Sequence, residues 1–435
     1  MKLLKVDTIE LAREKIFSRI KSWKLKTETL TLCETQNRIL AEDIFSLCDI
    51  PSFRRSTVDG YAVFASDTSG AGEGIPVFLR LVGSVSMGKA ANFPINSGEC
   101  AYVPTGGMLP CGADAVVMIE YCEEITENRE HRKENNENYT NNSADTKSII
   151  AVYESAASGI GTVEIGEDFK RGEPLLKKGT LIRPQEIGAL SAAGITKINV
   201  FSPLVICIIS TGDELTAPEK EPALGEIRDI NTNALKALAE KNNYKVMSAQ
   251  VLGDNETLLE SAVREAMALC DLVIISGGSS QGEKDYSAKV INQAAKPGVF
   301  THGLAVKPGK PAILGWDEES QTLLAGLPGH PVSAMMVFEI LFGASLINEL
   351  FQISAEAFLF SHFLTARIRC NVPGSPGRAL IMPVTLAFKD GVYYAQPVFG
   401  KAGMISVLTN ADGYIIIDMN KEGLKKDEDV LVYLF

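Results

Sequence analysis

Histidine is scarce in this chain, with four residues in 435, at positions 131, 302, 330 and 362. None stands at ligand spacing to a cysteine, so a structural zinc site has no obvious donors. The eight cysteines (Cys33, Cys48, Cys100, Cys111, Cys122, Cys207, Cys270 and Cys370) include no CxxC pair. In a chain of this length they read as scattered reduced core thiols of an intracellular protein, and not as a disulfide framework. Positive charge is also short: 42 Lys and Arg against 54 Asp and Glu leave a net charge of −12, with no basic cluster to offset it. That balance argues against general nucleic-acid binding. No apolar run reaches the roughly 18 residues of a membrane span. The nearest, 335–346, is interrupted by Glu339. Residues 1–20 carry Asp7, Glu10, Arg13, Glu14 and Lys15 where a signal peptide would be apolar. The expectation is a cytoplasmic chain with no membrane and no nucleic-acid partner.

What is present is ordinary globular composition, 46% hydrophobic and 22% charged, which excludes wholesale disorder. At about 150 residues per domain the length suggests roughly three domains. Residues 7–22 predict an amphipathic helix, with Asp7 and Glu10 spaced as a capping box and Ile9, Ala12, Ile16 and Ile20 on one face. From 50 to 120, short β-rich runs (77–82, 101–103, 115–119) alternate with Gly and Pro turns, predicting a small β domain. Residues 123–148 are low-complexity and almost free of apolar side chains, so they predict a solvated insertion. Strands and turns return over 162–182, and a helix is predicted at 184–193. From 203 onward strands at 204–209, 245–252 and 272–276 alternate with helices at 232–241, 255–269 and 332–350, predicting a parallel sheet. The last 75 or so residues return to β, with runs at 363–370, 380–388, 392–397 and 429–434.

Seven constellations could carry chemistry. Pro51–Ala62 (PSFRRSTVDGYA) places Asp59 on an Asp-Gly turn, where it is structural or holds a metal or proton. Thr105-Gly-Gly with Gly112 and Asp114 is a weak anion nest or a plain β-turn. Ser210-Thr211-Gly212-Asp213-Glu214 directly follows a buried strand, the position where α/β sheets bind ligands. In Ile227-Arg-Asp229-Ile-Asn231, either Asp229 or Asn231 caps the next helix or meets a ligand. Ser276-Gly277-Gly278-Ser279-Ser280-Gln281-Gly282, followed by Asp285, is a Gly- and Ser-rich strand end suited to a phosphate, yet it is neither a Walker loop nor GxGxxG. Lys307-Pro-Gly-Lys310-Pro311 presents two cations around a rigid turn. Gly326-Leu-Pro328-Gly-His330-Pro331-Val-Ser333 leads into a helix whose N-terminus favours negative charge, with His330 read as a loop spacer. Carboxylates (Asp59, Glu186, Asp213, Asp229, Asp285) beside anion cradles and two lysines suggest phosphate or phosphoanhydride chemistry with a divalent cation. No nucleophile triad is visible.

Taken in order, PSFRRSTVDGYA, TGGMLPCGADAVV, STGDEL, IRDIN, SGGSSQGEKDY, VKPGKP and GLPGHPVSA resemble the MoeA family of molybdopterin molybdenumtransferases, to which the gephyrin E domain is related. The resemblance runs along essentially the whole chain. It implies an α/β plus β multidomain homodimer. Its parts would be a segmented N-terminal domain (1–49 and 150–200), an inserted β domain (50–149), a MogA-like α/β domain (201–354) and a C-terminal β domain (355–435). It further implies insertion of molybdenum from molybdate into adenylylated molybdopterin with Mg²⁺ and release of AMP, downstream of a MogA-like adenylyltransferase. The active cleft would lie between the α/β domain of one subunit and the inserted β domain of the other.

Carried over residue by residue, Asp59, Glu186, Asp229, Asp285 and Lys307 would be catalytic, with Asp59, Glu186 and Asp229 on the metal. Thr105, Ser210, Thr211, Gly212, Asp213, Gly277, Gly278, Ser279, Ser280, Gly282, Lys310, Pro328, Pro331, Ser333 and Arg378 would bind substrate. Three positions depart from the family pattern: Gly303 where a Lys is common, His330 in place of Asn, and polar Ser279 and Gln281 in the Gly-rich loop. They leave molybdate against tungstate open. Two other readings stay in competition, a non-catalytic scaffold and an enzyme acting on another nucleotide.

Overall fold

The computed structural model describes residues 6–125, 148–277, 286–351, 353 and 363–435. The chain forms two compact units: one of residues 1–42, 178–184 and 197–435, the other of 43–177 and 185–196.

In the larger unit the helix Ile9–Ile20 buries Ile9, Ala12, Ile16 and Ile20, the face the periodicity predicts. The capping box does not form. Thr8 is the cap, its Oγ1 accepting from Leu11 N at 3.2 Å. Asp7 lies one position too early for that role and is 4% exposed. It accepts instead from Lys15 Nζ at 2.5 Å and from Thr301 Oγ1 at 2.6 Å, tying the helix to the sheet behind it.

That sheet has six strands in the order 245–252, 205–211, 272–276, 322–327, 313–317, 297–302. The first four are parallel, with Ile208 opposite Ile274 and Ile274 opposite Ala325. The last two are antiparallel additions, with Leu314 opposite Ala325 and Thr301 opposite Leu314. The expected parallel sheet is therefore mixed. The short connections 303–312 and 318–321 are too brief for a helical crossover, which parallel pairing requires. Strands 205–211 and 272–276 are buried almost throughout and read as continuous apolar runs for that reason.

The predicted helix at 332–350 is two helices, Pro331–Phe342 and Ala344–Phe351, interrupted at Gly343. Carbonyls at the end of the first helix find outside donors. Arg13 donates through Nε and an Nη to Ile340 O at 3.1 and 2.7 Å, and Tyr244 Oη donates to Phe342 O at 2.6 Å. Burial lowers the Arg13 pKa and raises that of Tyr244. The 21-residue stretch Pro331–Phe351 is apolar enough to cross a membrane by composition, but 61% of its most apolar window is buried in this unit. Its pieces of 12 and 8 residues are each shorter than the roughly 20 residues a span needs.

The C-terminal β residues also belong to the larger unit. Strands 379–389, 392–397, 363–368, 429–434 and 413–417 pair in a closed ring, around Ile368, Val384, Ala395 and Val432. Val306–Lys307 adds to the ring's edge beside Ala379 and Leu380, which joins the α/β part to the C-terminal part.

The smaller unit carries a six-stranded sheet in the order 115–118, 60–63, 99–103, 77–84, 149–152, 122–125 over a core of Val63, Leu79, Cys100 and Ile150. Residues 123–125 and 149, at the margins of the expected insertion, are strand: Glu123 pairs with Ala151 and Ile125 with Ile149. Residues 126–147 lie outside the described residues. All eight cysteines are free, but only Cys100, Cys207 and Cys270 are buried, so the expectation of core thiols holds for three.

Candidate functional site

The strands 252, 211, 276 and 327 end on one edge of the parallel part of the sheet, as the register of Thr211 with Leu252 and Ser276 with Leu327 requires. Chain order reverses there: from 205–211 one connection leads outward to 245–252, and the next returns to 272–276 on the other side. A crevice opens at such a switch point. A cavity of about 630 Å³ occupies it, within the usual range for small-molecule sites.

The walls come from strand ends and helix starts. Ser210, Thr211 and Gly212 close one side, and Ser276 and Gly277 the floor. Asn231, Tyr286 and Pro331, each the first residue of a helix, all line the cavity. The three helices run 11, 9 and 12 residues, so three positive dipole ends converge on one space. An anion is favoured there. Lys310 supplies a full positive charge. Arg228 lines the cavity too, but its guanidinium is engaged by Pro218 O, Lys220 O and Glu221. Glu214, Asp229 and Asp254 contribute carboxylates.

Backbone conformation dictates several of these residues. Gly277 has φ +103°, and a Cβ there would lie 2.2 Å from Thr211 O. Its N–H donates to Leu327 O at 3.1 Å, and its carbonyl accepts from Ser287 Oγ at 3.0 Å. Gly277→Ala is expected to cost about 2–4 kcal/mol through strain and overpacking, read as a lower urea midpoint. An unchanged midpoint would show that the turn tolerates a side chain.

Asp229 is 5% exposed and lines the cavity, and its Oδ1 accepts from Thr232 N at 3.3 Å, bracing the first turn from the position before the cap residue Ile230, which makes no side-chain cap bond. Asn231 is not the cap, being the first helical residue. Ser210, Thr211, Gly212, Gly277, Lys310, Pro328 and Pro331 gather as expected. Asp213 does not line the cavity: it accepts from Asp254 N at 2.8 Å and so supports Asp254, which also receives Thr211 Oγ1 at 2.9 Å. Lys307 is exposed on the edge strand and Arg378 is exposed before Ala379, both away from the lining. Ser333 is buried in the first turn of the helix Pro331–Phe342. Gly278, Ser279, Ser280, Gly282 and Asp285 lie outside the described residues.

His330 is more than a spacer. It lines the cavity just before the helix, beside Gly403 of the C-terminal part. Val332 N donates to Ala402 O at 3.2 Å, which holds that loop against the helix start. Gly403 had no local signal in the sequence. Asp254 did, because it follows the strand 245–252 as Asp213 follows its own.

In the smaller unit Asp59 Oδ1 accepts from Thr105 N at 2.7 Å, so two predicted residues meet. Glu186 is 8% exposed in the first turn of the helix Pro184–Ala192. Among the described residues no group of three or more His, Cys, Asp or Glu forms a ready metal cage.

Comparison with known proteins bears on all of this. Residues 8–194 match the family model for the MoeA N-terminal region, domains I and II. Residues 207–347 match "Probable molybdopterin binding domain", and 365–435 the MoeA C-terminal region, domain IV. A molybdopterin molybdenumtransferase of Haemophilus influenzae is 31% identical over 98% of both chains. A molybdopterin biosynthesis protein of Methanocaldococcus jannaschii is 30% identical over the whole of both. Among solved structures, a molybdopterin biosynthesis MoeA protein of Pyrococcus horikoshii superposes with a TM-score of 0.75 at 32% identity, covering 99% of each chain.

Proposed function

The chain belongs to the MoeA family, and from that premise we propose that it is a molybdopterin molybdenumtransferase of molybdenum cofactor biosynthesis. It takes adenylylated molybdopterin, the product of a MogA-like adenylyltransferase, together with molybdate. Molybdenum enters the dithiolene, and AMP is released as the phosphoanhydride is cleaved.

The observation that carries this reading is the cavity in the segment matching the molybdopterin-binding family, where three helix starts and Lys310 converge beside Asp229 and Asp254. Such a surface suits a ligand with phosphate groups and a second oxyanion. Mg²⁺ fits the donor set, because it takes hard oxygen ligands and commonly uses one or two carboxylates with substrate phosphates, so no three-group cage is needed. Asp229 would hold it, and when bound it would neutralise charge developing on the phosphate oxygens. Lys310 binds an oxyanion directly, and the positive dipole ends of the helices favour it there. The homodimer implied by the family belongs to the proposal, and light scattering should give about twice the chain mass of 46.9 kDa.

The test is AMP release from adenylylated molybdopterin with Mg²⁺, comparing molybdate, tungstate and neither. Molybdate-dependent release is the expected result. Release with tungstate alone would reassign the oxyanion, and no release with either would favour a scaffold. Asp59→Asn should lower release by about tenfold or more with its fold intact, since asparagine keeps the acceptor for Thr105 N and loses only the charge. Full release by that variant would remove Asp59 from the chemistry.

A further inference from the structure

Asn231 is 7% exposed, and its Nδ2 donates to Ser276 Oγ and to Gly329 O, each at 2.8 Å. A carbonyl can only accept, so the Gly329 contact fixes which end of the amide is nitrogen. Turning the amide over would set oxygen against oxygen. The position of Oδ1 is therefore imposed by the two loops that Asn231 clamps. Among the described residues, Oδ1 is the buried side-chain polar atom left without a hydrogen-bond partner. Native interiors leave few such acceptors, and this one belongs to a side chain in the wall of the ligand cavity.

We propose that Asn231 Oδ1 is a specificity-determining acceptor that receives an amino N–H from the heterocycle of the bound substrate. The inference rests on the molybdopterin reading above and names the chemistry that one residue selects. The acceptor is neutral, so it rejects phosphate oxygens, which go to Lys310 and the helix starts, and it asks for a neutral donor. An exocyclic amine is such a donor, and both ends of adenylylated molybdopterin carry one, the pterin and the adenine. An analogue bearing a carbonyl in place of the amine would set two acceptors face to face and leave Oδ1 unpaired. Discrimination against a ligand that lacks the required donor is largest where the protein's own group is buried.

Two measurements on the wild-type protein test this. Crystals soaked with AMP and with a reduced pterin should show Oδ1 within hydrogen-bonding distance of a ligand amine in one of them, and that crystal identifies the source. Oδ1 contacted only by water or by a protein group in both would overturn the proposal. Calorimetry should show AMP preferred over IMP, or the pterin over the corresponding lumazine, by on the order of tenfold. That preference should vanish in Asn231→Leu, and Asn231→Ala serves if the leucine variant does not fold. Equal binding of amine and oxo ligands by the wild type, or a preference that survives in a folded variant, overturns it. A wild type that binds neither adenylylated molybdopterin nor either ligand pair overturns the functional reading and this inference together. A wild type that binds adenylylated molybdopterin but ignores the amine overturns this inference alone.

Discussion

Asp229→Asn and Asp229→Ala should both lose turnover, by on the order of a hundredfold, while only the alanine variant loses stability. The two substitutions separate the residue's two tasks. Asparagine keeps an oxygen for Thr232 N and so keeps the bond that braces the helix start, but removes the charge at the cavity wall. Alanine removes both, and loss of a side-chain bond to a first-turn N–H costs about 1 kcal/mol. Urea midpoints and AMP release measured on the same preparations give the two readouts. If the asparagine variant turns over normally, Asp229 braces the helix start and nothing more. If it loses stability as much as alanine does, the charge contributes to folding and the interpretation above is wrong.

The second large effect is on stability. Lys15→Met should destabilise the larger unit by about 2–3 kcal/mol, because it strands a buried carboxylate that keeps only the Thr301 hydroxyl at 2.6 Å as a side-chain donor among the described residues. The cost stays below that of a fully buried pair because the Lys15 side chain is 32% exposed. Asp7→Ala with Lys15→Met should cost less than the sum of the two single changes, a coupling of about 1–2 kcal/mol. Additive costs would show that the contact at 2.5 Å contributes nothing beyond the separate burial of its members.

The sequence carried the site farther than it carried the sheet. The strand ends at Thr211 and Ser276 were legible because fully buried strands leave unbroken apolar runs that stop at Gly and Ser. The strands 297–302, 313–317 and 322–327 were not, since their runs are separated only by short turns and carry no helix between them to mark a repeat. The Thr8 cap was masked by an acidic neighbour with the right spacing, and only the fold reveals that Asp7 is drawn off by Lys15 and Thr301. Lys307 and Lys310 look equivalent in sequence, yet pairing of Val306–Lys307 with the C-terminal ring carries one cation to an exposed edge and leaves the other at the cavity. Asn231 was visible as a residue of interest, but its unpaired oxygen depends on loops nearly a hundred residues away.

The Ala402–Gly403 loop has a consequence for the order of events during synthesis. Most of the cavity wall is encoded between Ser210 and Pro331, but Gly403 completes it, and the carbonyl of Ala402 receives an N–H from the first turn of the helix that begins there. A ribosome that has released the α/β part has therefore not yet made a finished pocket. The finished pocket needs nearly the whole chain to have emerged, so a prematurely terminated product would lack Gly403 from its wall and the Ala402 carbonyl from the helix start.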